Sequence, residues 1–84
     1  MFMTKRREIK LHYTRLFASY LRRDVESFKK ELIYGQPSRF TAERVFWDLI
    51  VIRDRLKLDV YEAVKAMYYE ELEYVSDFLH KPIP

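Results

Sequence analysis

The sequence is poor in the residues that interrupt or cross-link a chain. Among its 84 residues it has no cysteine, one glycine and three prolines. Without cysteine there is no disulfide, no thiolate nucleophile and no Cys-ligated metal centre. Scarce glycine and proline favour a few long helices over many short strands. The longest apolar run, "LIVI", is far shorter than the ~20 residues that a membrane span needs.

The N-terminal stretch "MFMTKRREIKLHY" also lacks a feature, because it has charges where a signal peptide needs an apolar core. We therefore expect a soluble, cytoplasmic chain, and the absence of cysteine fits a reducing compartment. Apolar residues make up 49% of the sequence and aromatics 17%. Disordered chains lack that composition, so a folded core is expected.

Apolar residues recur at threes and fours in three segments, which predicts helices over 6–33, 42–56 and 60–80. The stripe of the first begins at Ile9 and continues through Leu21, Val25 and Phe28. We expect an all-α, three-helix bundle in a single domain, 1–84, with a long first helix and a hairpin formed by helices two and three. The stretch "RVFWDLIVIR" is rich in strand-forming residues, but a lone strand would have no partner.

The segment "ELIYGQPSRFTAE" holds the only glycine and the only proline before the C-terminal tail. Gly35 suits the left-handed residue that ends a helix, and Pro37 cannot continue one. Ser38 and Thr41 are both competent N-caps for the next helix. A phosphate-binding loop needs several glycines, so we interpret the segment as a helix hinge. Further on, "DVYE" predicts a capping box that starts the third helix at Asp59.

Charge is distributed unevenly along the chain, with +6 over residues 1–30, +1 over 31–57 and −4 over 58–84. Helices one and three could neutralise one another, or two chains could pair head to tail. Alternatively, the basic face of helix one could bind the phosphates of a nucleic acid, with affinity that falls as salt rises. The candidate residues are Lys5, Arg6, Arg7, Lys10, Arg15, Arg22, Arg23, Lys29 and Lys30. An acidic third helix is unsuited to a major groove, which argues against a helix-turn-helix reader.

Tyrosines surround the third helix, and not all of them fit into the core of so small a protein. Tyrosine is common at interface hot spots, although it also covers core edges with its hydroxyl in water. We predict a protein interface on this helix, suited to a basic or amphipathic partner. Its residues are Tyr61, Tyr69, Glu70, Glu73, Tyr74 and Asp77.

Catalytic and metal-binding patterns are sparse. His12 and His80 have no neighbouring group that would make either of them a base. Glu70, Glu73 and Asp77 share a helix face and could bracket a divalent ion only if helix two contributed Glu43 or Asp48. Asp48 interrupts an apolar run, and it either points outward or is buried with a partner. We expect no cofactor and no metal.

Residues 47–64, "WDLIVIRDRLKLDVYEAV", resemble the second half of the all-α nucleotide pyrophosphohydrolases of the MazG type. The resemblance lies in Asp48, the apolar helix after it, a short turn and the "LDVYEAV" start. It implies a metal-dependent nucleotide hydrolase. The family places a glutamate three residues before its aspartate, where this chain has Val45, and its earlier ExxE pair has no counterpart before Gly35. The activity is therefore not transferred.

The sequence thus predicts a small non-catalytic protein-interaction module, an adaptor or an inhibitor that occludes a larger partner. A nucleic-acid-binding module using helix one and a metal-dependent hydrolase are the alternatives. Self-association, including a homodimer, is open under all three.

Overall fold

The computed structural model describes the backbone of residues 2–84 and the side chains of residues 11–84. The described chain is all-helical, with α1 at Phe2–Ile33, α2 at Arg39–Arg55, α3 at Leu58–Met67 and α4 at Tyr69–Leu79. Its dimensions are 51 × 21 × 18 Å. The 32 residues of α1 account for the long dimension, since an α-helix of that length measures about 48 Å.

The hinge between α1 and α2 follows the prediction. Gly35 has a φ of 72°, its N–H donates to the Leu32 carbonyl, and the Gln36 N–H donates to the Glu31 carbonyl at 2.8 Å. These two bonds form a Schellman motif, which satisfies carbonyls at a helix end. Ser38 is the N-cap of α2 and accepts a hydrogen bond from the Thr41 N–H. Because Ser38 is the cap, α2 begins at Arg39 and not at residue 42.

The side chain of Glu31 reinforces this hinge. Its Oε1 accepts a hydrogen bond from the Ser38 N–H at 2.7 Å, and its Oε2 accepts one from the Thr41 hydroxyl at 2.6 Å. The last turn of α1 is therefore tied to the first turn of α2, which sets the two helices side by side.

The prediction of a single third helix over 60–80 is wrong, because the chain forms α3 and α4 with a break at Tyr68. No glycine or proline lies between Leu58 and Leu79. The apolar residues also keep their helical spacing through the break, at Val64, Tyr68, Leu72 and Val75. Both segments pack against α2, and Tyr68 leaves the helical conformation between them with a φ of −110° and a ψ of 21°. The predicted capping box is also wrong: Lys57 is the N-cap of α3, and the Asp59 carboxylate accepts a bond from the adjacent Val60 N–H.

One hydrophobic core joins the four helices, with α2 in contact with each of the others. Leu21, Val25 and Phe28 of α1 meet Leu49 and other α2 residues there, and the Phe28 ring lies 5.9 Å from that of Phe78. The full set of buried hydrophobic residues is Leu21, Val25, Phe28, Ala42, Val45, Phe46, Leu49, Ile52, Tyr61, Val64, Leu72, Val75 and Leu79. Between Phe2 and Pro84, no helix combines the length and the apolar character needed to cross a membrane.

Candidate functional site

The side of α4 that faces away from the core carries aromatic and acidic side chains together. Leu72, Val75 and Leu79 are buried against the other helices. On the opposite side, five exposed residues fall within one arc of the helix, as its 3.6-residue period requires. We call this set the acidic-aromatic face: Tyr69, Glu70, Glu73, Tyr74 and Asp77.

The acidic-aromatic face is accessible and uncompensated in charge. Tyr69 and Tyr74 expose 53% and 55% of their surface. No ion pair involving Glu70, Glu73 or Asp77 occurs within residues 11–84. A hydrogen bond to Glu73 and the negative charge of that residue raise the pKa of the Tyr69 hydroxyl above its ordinary value. The Tyr69 hydroxyl therefore acts as a donor to the Glu73 carboxylate.

Tyr61 does not belong to this face. It belongs to the core and exposes only 8% of its surface. Its hydroxyl donates a hydrogen bond to the Pro84 carbonyl and lies 3.2 Å from the Lys65 ammonium. The predicted inclusion of Tyr61 in the interface is wrong, because the C-terminal segment covers this residue.

The basic residues predicted for nucleic-acid binding all lie on α1. The structure describes side chains from residue 11 onward, so four of these residues are outside it: Lys5, Arg6, Arg7 and Lys10. Arg15, Arg22 and Lys30 are exposed and form no ion pair with any residue from 11 onward. Arg15 and Arg22 are seven residues apart and so share one face of the helix.

Other basic residues of α1 are used within the protein. Lys29 lies 3.8 Å from Glu26 and 3.9 Å from Glu71 of α4, so it links the basic and acidic helices directly. Arg23 lies 3.5 Å from Asp24 and covers the ring of Tyr20. Within residues 11–84, charge neutralisation between α1 and the acidic C-terminal part of the chain therefore occurs at the Lys29–Glu71 pair.

A buried carboxyl pair lies where α1 meets α2. Asp24 exposes only 4% of its surface, and its Oδ1 lies 3.4 Å from the guanidinium of Arg44. Asp48 extends toward Asp24 from α2. Within the described side chains, the Oδ2 atoms of these two residues are the buried polar atoms left without a hydrogen-bond partner.

The chemistry of this pair is that of one proton held by two carboxyl groups. Burial, a hydrogen bond to Asp24 and the negative charge of Asp24 raise the pKa of Asp48 to about 8, while Arg44 and Arg23 act in the opposite direction. Two close carboxyl groups resist ionising together. Near neutral pH, Asp48 therefore retains a proton, and a proton between the two carboxyl groups gives their otherwise unpartnered oxygens a hydrogen bond.

Asp24 was missed in the sequence analysis although a signal for it exists. It lies on the buried side of α1, at the position that completes the spacing Leu21, Asp24, Val25 and Phe28. An acidic residue within an apolar stripe indicates a buried carboxyl group with a partner. The same signal at Asp48 was noted, and the structure identifies Asp24 as its partner.

Metal binding has no support from the described geometry. Within residues 11–84, no three Asp, Glu or His side chains are grouped so as to hold a metal ion. Glu43, one of the further ligands that the sequence offered, instead pairs with Arg39 and Lys81. His80 ends α4 with a φ of 55°, in the left-handed region, and the following Lys81 N–H donates to the Ser76 carbonyl. This histidine terminates a helix.

Comparisons with known proteins found no relative of this chain. No family model matches the chain, and neither a curated protein nor a solved structure matches it significantly.

Proposed function

We propose that the protein is a small non-catalytic interaction module, acting as an adaptor or as an inhibitor that occludes a larger partner, and that the acidic-aromatic face of α4 is its binding surface. The observation that supports this is the combination on one side of α4 of two half-exposed tyrosines with three carboxylates that have no described ion-pair partner. Burying these carboxylates in an interface costs hydration free energy, and a partner with positive charge offsets that cost.

The chemistry of the face specifies the partner. Tyr69 and Tyr74 offer rigid apolar area, which is typical of interface hot spots. Glu70, Glu73 and Asp77 favour lysine and arginine, and complementary charge raises association rates and excludes acidic competitors. The partner is therefore a basic segment with apolar side chains, such as an amphipathic helix.

A labelled amphipathic peptide of lysine and leucine tests this proposal, with a glutamate and leucine peptide of the same pattern as its control. Fluorescence anisotropy should show binding of the basic peptide only. The variant E70K/E73K should abolish binding, and Tyr69→Ser with Tyr74→Ser should weaken it by about tenfold or more. The matched control D54K/E62K makes the same charge change elsewhere and should bind as the wild type does.

Equal affinity of the wild type for the basic and acidic peptides would contradict the proposal, as would unchanged binding by E70K/E73K. Far-UV circular dichroism of each variant separates loss of binding from loss of fold. The tyrosine variant is informative in this respect because both side chains are half exposed and lie outside the core.

A second candidate function is nucleic-acid binding by α1, favoured by Arg15, Arg22 and Lys30, which are exposed and form no ion pair with residues 11–84. Anisotropy of labelled duplex DNA and single-stranded RNA at about 50 and about 200 mM salt tests it, because phosphate contacts weaken steeply with salt. The triple variant R15E/R22E/K30E should lose the binding. It spares Lys29, whose charge already faces Glu26 and Glu71. Binding that does not change with salt or with this variant would eliminate the candidate.

A further inference from the structure

We propose that a second copy of this chain also docks on the acidic-aromatic face, through a groove between α1 and the α2–α3 corner that is open within residues 11–84. This inference rests on the proposed function, because it names the occupant of the same face. The groove encloses about 930 Å³. Its floor is apolar and consists of Leu11, Tyr13, Phe17, Leu56 and Val60.

The groove is open because α1 is longer than the rest of the protein can cover. Within residues 11–33 of α1, the first buried residue is Leu21. Before that point, Leu11 and Tyr13 expose 51% and 48% of their surface, and Tyr13 stacks on Phe17 with ring centroids 6.0 Å apart. The stacked pair Tyr13 and Phe17 therefore lines one side of the groove, and no helix between Leu11 and Pro84 covers it.

Charge at the rim identifies an acidic occupant. Arg55 and Lys57 line the groove beside a single acidic residue, Asp59. The preceding segment of the same helix, 2–10, contains four basic residues and one acidic residue in its sequence. Two copies that paired through this part of α1 would place basic segments together, which is unfavourable. An acidic helix with aromatic side chains fits both the floor and the rim.

The chain itself has such a helix. The acidic-aromatic face of α4 presents Tyr69 and Tyr74 to an apolar floor and three carboxylates to a basic rim. The groove and the face share no residue, so each copy offers one of each. The contact is therefore head to tail, and a head-to-tail contact continues to further copies unless its rotation closes a ring.

Sedimentation velocity tests the proposal with charge-swap variants. Over about 10 µM to about 1 mM, a range suited to a small interface, the mean mass of the wild type should rise above that of the monomer, and above that of a dimer unless two copies close the contact. R55E/K57E reverses the groove and E70K/E73K reverses the face, and each variant alone should remain monomeric. An equimolar mixture of the two should associate again, because each groove then meets a face of opposite charge. R22E/K30E removes two basic charges of α1 outside the groove and should associate as the wild type does.

A monomeric wild type at the highest concentration would overturn the inference. So would wild-type association with no recovery in the mixture, or loss of association in R22E/K30E. If the wild type is monomeric but the basic peptide still binds the face, self-assembly is rejected while the proposed function stands. If the peptide and the groove both fail to bind the face, the proposed function fails as well.

Discussion

The environment of Asp48 changes its charge state. An aspartate is ordinarily ionised near neutral pH, but Asp48 keeps its proton there because its pKa is raised to about 8. Buried polar groups are expensive unless they are hydrogen-bonded, and the proton shared with Asp24 supplies that bond. The sequence indicates that Asp48 is unusual because it interrupts an apolar run. It cannot show which residue lies opposite, since Asp24 and Asp48 are 24 positions apart in the sequence and become neighbours only when the hinge sets α1 beside α2.

Because the pKa of Asp48 is raised on folding, the contribution of this residue to the stability of the protein falls as the pH rises. The folded pKa of Asp48 is about 8, above the ordinary value of 3.8 that applies when the chain is unfolded. Folding is therefore favoured by the proton of Asp48 most strongly below pH 3.8. This contribution declines as the pH rises from 3.8 to about 8, and it is absent above that.

Asp48→Asn keeps a neutral donor facing Asp24 and removes the titration. We expect its free energy of unfolding to exceed that of the wild type at about pH 9, with a smaller difference at about pH 4. Urea unfolding followed by circular dichroism measures both values. Asp54→Asn, at an exposed position on the same helix, is the control and should keep the pH dependence of the wild type. A difference that did not grow with pH would contradict the assignment of the proton to Asp48.

At the scale of elements, the sequence predicts helices well and their interruptions unevenly. The end of α1 is local, because Gly35 and Ser38 act within a few residues of their own positions, and it was predicted correctly. The break at Tyr68 has no local signal: Met67, Tyr68 and Tyr69 all tolerate helix, and the segments on both sides of the break pack on α2. The two hydrogen bonds that Glu31 accepts from Ser38 and Thr41, which we call the Glu31 clamp, were missed for a similar reason, since both partners lie across the hinge.

Gly35→Ala should lower the free energy of unfolding by about 1–2 kcal/mol. No atom lies within 4 Å of an added Cβ, so the whole cost is that of the left-handed backbone at a φ of 72°. Gly35→Asn should cost less, because asparagine tolerates that conformation. Urea unfolding measures both variants, and an alanine variant as stable as the wild type would show that Gly35 does not hold this conformation.

Glu31→Ala removes the acceptor for both the Ser38 N–H and the Thr41 hydroxyl. We expect a loss of about 1–2 kcal/mol, as for other hydrogen bonds to charged groups. Hydrogen exchange at the Ser38 amide is the direct measurement and should accelerate. Glu26→Ala, an exposed position on the same helix, is the control; equal effects of the two substitutions would be evidence against the clamp.

At the scale of the whole molecule, α2 is the element on which the other three helices depend. Leu49 lies at its centre and is fully buried. A chain of this length has a small stability margin. Loss of the α2 contacts should therefore unfold the four helices together.

Leu49→Ala should cost about 3–5 kcal/mol through the lost contacts and the cavity left behind. The measurement is thermal unfolding followed both by circular dichroism and by tyrosine fluorescence, and the two transitions should shift down together. Ile33→Ala, at a position that is 80% exposed, should change stability little. Separate transitions in the Leu49 variant would show that the helices do not share one core.

The whole molecule also explains why its surfaces are proposed for binding. The sequence shows a basic front and an acidic back, and the folded chain joins them at the Lys29–Glu71 pair only, within residues 11–84. Sequence alone predicted Tyr69 and Tyr74 as surface residues and misplaced Tyr61, because the return of the C-terminal segment over Tyr61 depends on tertiary structure. The groove beside Leu11 and Phe17 could not be predicted either, since it depends on how far α1 extends past α2.

Chemical-shift mapping by NMR tests the central claim, binding through the acidic-aromatic face, most directly. The basic amphipathic peptide is titrated into the isotope-labelled wild type, and the amide shifts of every helix are followed. We predict that saturable changes concentrate at residues 69–77, with Tyr69 and Tyr74 among the largest. Changes centred on α1 or on the groove without changes at residues 69–77, or no changes at all, would contradict the account.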